Sequence, residues 1–274
     1  MIPKTIHYCW FGGNPLPELA QKCIASWKKY CPDYEIIEWN ESNYDISTAP
    51  LYVREAYEAK KWGFVPDYIR LELIYKYGGI YLDTDVEIIK SLDVLTELKG
   101  FCGLEDGKWV ALGLGFGAES GNELLYELMN VYKKASIYDK DGSLNLIPAP
   151  QIDTSVFINN GFIENNRKQI VKELTVFPTD YFCPVNTNTG DIVLTDNTFS
   201  IHHYAASWFS EEEKYIKKLR YKYYKKLHCI KLAHWLSLAV GFSKYRGLLK
   251  MPKSMINYKM NNLKNKREKG KGDN

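Results

Sequence analysis

Lys76-Tyr77-Gly78-Gly79-Ile80-Tyr81-Leu82-Asp83-Thr84-Asp85-Val86 reads as a strand entered through a Gly-Gly hinge. Side chains alternate along a strand, so Ile80, Leu82, Thr84 and Val86 share one face and Tyr81, Asp83, Asp85 and Glu87 the other. The first face suits a core. The second stacks acids with no base between them. Two carboxylates about 4 Å apart repel by roughly 4 kcal/mol at an effective dielectric near 20. A raised pKa, a basic neighbour or a bound cation lowers that cost. Asp-x-Asp alone fits a solvated strand end equally well; its position after a strand favours the cation.

Working back toward the N-terminus, Pro66 opens a helix that Asp67 to Tyr77 continues into the hinge. Asp67, Arg70, Ile74 and Tyr77 lie three or four apart, along one stripe. Asp67 suits the positive end of the helix dipole, and Arg70 a surface ion pair. If the stripe faces the acidic strand, Arg70 can meet a phosphate or carboxylate and Asp67 can accept from hydroxyls. Further back, Ile2 to Trp10 reads as a strand ending in Trp10-Phe11-Gly12-Gly13. Pro17 to Tyr30 reads as a helix and Tyr34 to Trp39 as a second strand. Strand, helix, strand at this spacing predicts a βαβ unit and a mostly parallel α/β sheet. Trp10 suits either the core or stacking on a planar base.

Toward the C-terminus, Phe101–Leu104, Leu112–Gly117, Thr175–Phe177 and Thr198–Tyr204 read as strands, and Glu119–Lys134 and Asp153–Asn160 as helices. Gly113-Leu114-Gly115-Phe116-Gly117 lacks the Gly-Lys-Ser/Thr ending of a phosphate loop and suits close strand packing. In Ile201-His202-His203-Tyr204-Ala205-Ala206-Ser207-Trp208 the two histidines point to opposite faces, so at most one of them reaches a cleft. Two acids and one histidine make an oxygen-rich set suited to Mn²⁺ or Mg²⁺, without zinc-site spacing.

The 274 residues carry 36 Lys/Arg and 33 Asp/Glu, net +3, unevenly placed. Lys214 to Asn274 holds 18 bases and two acids, net +16, whereas residues 1–213 are net −13. Such a basic segment favours an anionic partner, among them a membrane surface or a pyrophosphate-bearing lipid. Ile230 to Phe242 is apolar, too short to span a bilayer, and suits either its interface or packing on the body. The opening residues do not read as a signal peptide, and six scattered cysteines read as reduced thiols, which together predict a cytoplasmic protein. The last ten or so residues are expected to be disordered, and no nucleic-acid module is present.

Asp67-Tyr68-Ile69-Arg70 with Tyr77-Gly78-Gly79-Ile80-Tyr81-Leu82-Asp83-Thr84-Asp85 resembles the Asp-x-Asp signature of glycosyltransferase family 32 and its relatives. Those relatives include bacterial capsular polysaccharide transferases, fungal initiating mannosyltransferases and clostridial glucosylating toxins. Ile6 to Gly13 and His203 to Trp208 resemble that family's first and last blocks, so the likeness covers about residues 1–210. It implies a GT-A fold over 1–210 with a basic helical extension over 211–274. It further implies a retaining, metal-dependent transfer of sugar from a nucleoside diphosphate sugar (UDP before GDP) to a glycan or lipid-linked acceptor. By the same resemblance Trp10 stacks on the base, and Asp67, Arg70, Tyr81 and Asp83 hold the donor. Asp85, Asp83 and His203 bind metal, with His202 the alternative. Ser207 and Trp208 touch the diphosphate, and Asp83, Asp85, Arg70 and Trp208 form the catalytic set. The other readings are a toxin-like protein-modifying transferase, a calcium-dependent carbohydrate-binding module and a membrane-docking scaffold.

Overall fold

The computed structural model describes residues 1–205, 210–255 and 258. These separate into two compact units: residues 1–186 with 192–205, and residues 187–191 with the described residues after 205.

The first unit runs β1 (Thr5–Cys9), α1 (Glu18–Tyr30), β2 (Glu35–Trp39), α2 (Leu51–Glu58), α3 (Pro66–Tyr77), β3 (Gly79–Tyr81) and β4 (Val86–Ile88). It continues with α4 (Asp93–Thr96), β5 (Gly100–Glu105), β6 (Trp109–Val110), β7 (Phe116–Ala118), α5 (Glu123–Tyr132) and α6 (Ala149–Asn159). Then come β8 (Gln169–Val171), β9 (Leu174–Phe177), α7 (Thr179–Phe182) and β10 (Ser200–His202). The main sheet has the order β2-β1-β3-β7-β5-β9-β8, with β6 paired to β5. β1 pairs in parallel with β2 and β3, and β5 with β9; β7 joins the two halves antiparallel to both neighbours. The α/β architecture expected from the opening strand–helix–strand is present.

Helices cover both faces of this sheet. Ile6, Tyr8, Ile80, Leu82, Phe101 and Phe177 bury against Cys23, Ile24 and Trp27 of α1. Cys9, Tyr81, Cys102, Phe116 and Val176 face α2, α3, α5 and α6 on the other side. The period of two read from Ile80 and Leu82 against Tyr81 therefore holds where the chain is a strand. α3 is buried nearly all round, through Tyr68, Ile69, Leu71, Leu73 and Ile74 as well as Asp67 and Arg70, which marks an interior helix rather than an amphipathic one. Pro66 starts it with Asp67 in the first turn, Lys76 lies in its last turn, and the Gly78 N–H donates to Ile74 O at 2.9 Å.

Gly78 (φ +67°) and Gly79 (φ +99°) then turn the chain into β3. A Cβ on Gly79 would stand 2.8 Å from Thr5 O and 3.0 Å from His7 Nε2, so β1 passes directly against the hinge. His7 is itself fixed there. The Trp39 indole N–H donates to His7 Nδ1 at 3.1 Å, so Nε2 carries the ring proton and donates to Gly78 O at 3.1 Å. Burial pushes the His7 pKa down to about 4, which keeps this neutral tautomer.

Sequence reading and structure part at several places. Leu112–Leu114 is a 3₁₀ turn, not the start of a strand. β4, α4, β6, β8 and α7 are short elements without a strong periodic signal. All six cysteines are free, five of them buried.

The second unit is built on α8 (Glu211–Leu227) and α9 (Ile230–Arg246). Ser210 and Glu213 form a reciprocal capping box at the start of α8. His228, at φ +48°, ends it. Arg246 grips Glu212 through Nε at 2.7 Å and Nη2 at 3.1 Å, which ties the end of α9 to the start of α8. None of the described helices is long and apolar enough to cross a membrane. The expected disorder of the last ten residues lies outside the described residues.

Gly79→Ala adds both a crowded Cβ and an unfavourable φ, whereas Gly13 (φ +66°) has nothing within 4 Å of such a Cβ. Gly13→Ala is expected to cost about 1–2 kcal/mol and Gly79→Ala clearly more. Equal midpoints for the two variants in urea unfolding would contradict the close approach of β1.

Candidate active site

The Asp83-Thr84-Asp85 acids sit in a turn between β3 and β4, which corrects the reading of one strand through Val86. The reason is competition for backbone partners. Main-sheet pairing ends at Tyr81, opposite His7 and Phe116. The Val86 N–H folds back onto Asp83 O at 3.0 Å. β4 then leaves to pair antiparallel with β10, and α1 holds it. The Trp27 indole N–H donates to Val86 O at 2.7 Å, and the Ile88 N–H donates to Ser26 Oγ at 2.9 Å.

The 202–205 segment wraps Asp85. Its backbone carbonyl accepts the His203 N–H at 2.9 Å and its Oδ2 accepts the Ala205 N–H at 2.7 Å. Its Oδ1 lies 3.1 Å from His202 Nε2. Burial alone would raise the Asp85 pKa, but the His202 charge and hydrogen bond, with the Ala205 N–H, bring it down to about 2. Burial likewise disfavours charged His202, and the Asp85 and Asp83 carboxylates outweigh it, so its pKa lies above the ordinary value. Strand alternation sends the neighbouring side chain elsewhere: His203 Nε2 lies 2.8 Å from Glu87 Oε2. Of the two histidines, His202, the alternative, is the one brought to Asp85, and His203, the one expected to bind metal, is brought to Glu87.

Asp83 lies on the other side of the turn, toward α3. Its Oδ1 is 3.8 Å from Arg70 Nη1, and Arg70 Nη2 is 2.7 Å from Asp67 Oδ1. Tyr52 donates to Asp67 Oδ2 at 3.0 Å. Asp67 and Arg70 are both buried, so the expected helix stripe does meet the acidic turn. Burial pushes the carboxyl pKa of Asp67 and of Asp83 upward, and Arg70 opposes it in both.

Tyr81, expected to hold the donor, is only 1% exposed and packs its ring beside Phe116 at 6.0 Å. The sheet interior claims its ring, and its hydroxyl hydrogen-bonds Asp83. Trp10 is half-buried at the end of β1, its indole N–H donating to Asn14 O. Ser207 and Trp208 lie outside the described residues.

Two members of the site carried no signal that marked them. Asp153, on α6, is fully buried and accepts from Tyr132 at 3.0 Å. Its second oxygen and Arg70 Nε have no hydrogen-bond partner among the described residues. Burial raises the Asp153 pKa to about 7 against the pull of Arg70. The spacing of α6 gives no hint of this, because the contact is made between distant segments. The other is Gly113. A Cβ there would stand 2.3 Å from Asp83 Oδ2 and 3.3 Å from Arg70 Nη1, so this glycine leaves room for the carboxylate. Its place in a glycine-rich run showed close packing but not against what.

One ligand atom each from Asp83, Asp85 and His202 lies within 4.8 Å of the others. His202 Nδ1 is buried without a partner among the described residues, so no backbone group competes for it. Two carboxylates and an imidazole form a hard, oxygen-rich donor set, which fits Mn²⁺ or Mg²⁺.

Asp153 faces Arg70, Asp67 and Tyr132. Its folded pKa is raised above its unfolded value, so its contribution to stability is complete near pH 4 and is lost as pH rises through 7. The loss approaches about 1.4 kcal/mol per pH unit between those limits. Asp153→Asn is expected to flatten stability over this range and to match or exceed the wild type at pH 8, read by chemical denaturation. Marked destabilisation of Asp153→Asn at pH 8 would contradict the raised pKa and show that Arg70 favours the carboxylate.

Residues 17–101 match the model of the "Glycosyltransferase sugar-binding region containing DXD motif". The chain is 35% identical over 97 residues to inositol phosphoceramide mannosyltransferase 3 of Schizosaccharomyces pombe, covering 34% of this chain and 27% of that protein. It is 25% identical over 111 residues to subversion of eukaryotic traffic protein A of Legionella pneumophila, covering 31% and 17% respectively. The chain thus spans less than a third of the length of these curated relatives. Among solved structures, the PaToxG glycosyltransferase aligns at 19% identity and TM-score 0.47, over 58% of this chain and 68% of that one. A glycosyltransferase involved in glycosylation of the major capsid of PBCV-1 aligns at 14% identity and TM-score 0.43, over 74% and 94%. Asp83-Thr84-Asp85 is the one Asp-x-Asp within the matched residues, so residues 17–101 are similar, acidic turn included, to the DXD-containing sugar-binding region of glycosyltransferases.

Proposed function

We propose that the chain is a retaining glycosyltransferase. It moves a sugar from a nucleoside diphosphate sugar, UDP before GDP, onto a glycan or lipid-linked oligosaccharide in surface polysaccharide synthesis, such as capsule. The observation that carries this reading is the convergence of Asp83, Asp85 and His202 within 4.8 Å, next to the buried Asp67–Arg70 pair, with every one of these residues except His202 inside the matched stretch 17–101. In the same reading the first unit is the transferase domain and the second a basic extension. The protein works at the cytoplasmic face of a membrane.

Mn²⁺ or Mg²⁺, held by Asp85, Asp83 and His202, supplies Lewis-acid stabilisation of the departing diphosphate when bound. This chain's own groups supply the rest. Asp67 accepts from the sugar hydroxyls, and Arg70, locked by Asp67 at 2.7 Å, orients them and adds positive charge. Asp83 reaches ribose and sugar through the space that Gly113 leaves open. Trp10 stacks on the base, and Ser207 and Trp208 donate to the diphosphate. The bond from the sugar's anomeric carbon to the phosphate oxygen breaks as the acceptor oxygen attacks on the same face. The acceptor proton passes to that phosphate oxygen. No carboxylate of the turn is free for a covalent intermediate, since Asp85 is bound by His202 and Ala205 and Asp83 lies beside Arg70.

A thermal-shift screen of nucleoside diphosphate sugars with and without Mn²⁺ tests the reading. The true donor is expected to stabilise by about 2.7 kcal/mol at 100 times its dissociation constant, only with metal present. Asp85→Asn is expected to abolish that shift and to lower slow donor hydrolysis by about 100-fold. Metal and sugar binding without hydrolysis would favour a carbohydrate-binding module.

Gly113→Ala pushes a methyl into Asp83 Oδ2, so donor affinity is expected to fall at least tenfold. The neighbouring control Gly121→Ala, which meets nothing within 4 Å, leaves affinity unchanged. Isothermal titration with donor and Mn²⁺ separates the two; equal affinities would remove Gly113 from the site.

A further inference from the structure

The charge asymmetry and the apolar run near the C-terminus find a common explanation in α9. One side of this helix is closed against α8. Ala233, Ser237, Leu238, Gly241 and Phe242 are buried, and a Cβ at Gly241 would stand 2.2 Å from Ile216 Cγ1. Ala233, Ser237 and Gly241 let the two helices meet closely beside the buried Leu238 and Phe242, and four further large apolar residues of α9 lie on its other side. Leu232, Trp235, Leu236 and Val240 lie three to four residues apart, hence on one face. They are 47%, 39%, 38% and 37% exposed, and Leu248 and Leu249 beyond the helix are 72% and 98% exposed. Isolated exposed leucines are ordinary, whereas a contiguous row marks an interaction surface.

We infer that this outer face of α9 is a docking surface for an anionic lipid bilayer, with the helix lying in the interface plane. Two features choose that occupant. Lys231 and Lys244 are exposed at opposite ends of the apolar row, and Lys218, Lys222, Lys225 and Lys226 are exposed on α8. The segment 214–274 holds 18 bases against two acids. A second copy of the chain would bring like charge onto this surface. A nucleic acid would engage the lysines and leave the leucines and Trp235 in water. A bilayer with anionic headgroups takes both, the apolar row at the acyl boundary and the lysine stems reaching back to the phosphates. The helix cannot span, so the contact is peripheral. The inference deepens the proposed reading by naming how the enzyme stays beside a lipid-linked acceptor, and vesicle binding reads out without sugar transfer, so the two can fail separately.

Co-sedimentation of the full chain with phosphatidylglycerol/phosphatidylcholine vesicles and with pure phosphatidylcholine vesicles tests it. The wild type is expected to bind the anionic vesicles at least tenfold better. The double variant Trp235→Ser/Leu236→Ser is expected to lose at least tenfold in partitioning while Trp235→Phe retains it. Lys231→Glu/Lys244→Glu is expected to weaken binding to anionic vesicles. The wild-type tryptophan emission is expected to shift to the blue on adding anionic vesicles, with the shift reduced in Trp235→Phe, which reports on Trp235 without depending on the serine variant. Wild-type partitioning by the double variant, equal binding to both vesicle types, or a wild-type dimer that the double variant converts to monomer would overturn the inference.

Discussion

A guanidinium buried among carboxylates governs the site. Arg70 is 4% exposed, pairs with Asp67 at 2.7 Å, and stands 3.8 Å from Asp83. Its charge also pulls on Asp153. A charge taken out of water is tolerated only where partners replace the solvent, and removing one partner costs about 3–5 kcal/mol. Here the ion-pair partners come from two segments, α3 and the turn after β3, and Asp153 of α6 stands beside them with its pKa raised by burial. Arg70 therefore couples the folding of the α3 side of the sheet to the placement of the acids that are expected to do the chemistry.

The second constraint is how the acidic turn is held open. β3 is short and locked between β1 and β7. β4 belongs to a different sheet and is clamped to α1 through Trp27 and Ser26. The two residues that turn the chain between them, Asp83 and Asp85, are thus pulled to opposite sides, one toward Arg70 and the other toward His202. Electrostatics completes the separation. Asp85 is held ionised by the imidazole and a backbone N–H, while burial pushes the Asp83 pKa upward. A dication between two such acids would relieve their mutual repulsion.

Local rules read well wherever the backbone obeys a single period. Pro66, the first-turn acid and the Gly-Gly pair set the start and end of α3, and the alternation of Ile80 and Leu82 against Tyr81 assigns the two faces of β3 correctly. Asp67 and Arg70 could be paired on the same helix stripe from spacing. The same alternation, extended past Tyr81, fails at Asp83, because β4 finds better partners in β10 and α1 than in the main sheet. His202 and His203 were known to point oppositely; which of them meets Asp85 depends on the register of β10 against β4, where His202 stands opposite Val86.

Sequence by itself determined the α/β class, the helix that delivers Arg70, the acidic pair, and a basic C-terminal segment opposed to an acidic body. Those are matters of period, spacing and composition, and each is written within a few residues or in simple counts. Tertiary structure alone decided that the acids occupy a turn, that His202 faces them, that Asp153 lies near Arg70 and Gly113 against Asp83, and that Ala233, Ser237 and Gly241 of α9 turn inward while Leu232, Trp235, Leu236 and Val240 face out. Each of those depends on contacts between residues far apart in the chain, for which a one-dimensional pattern holds no distance.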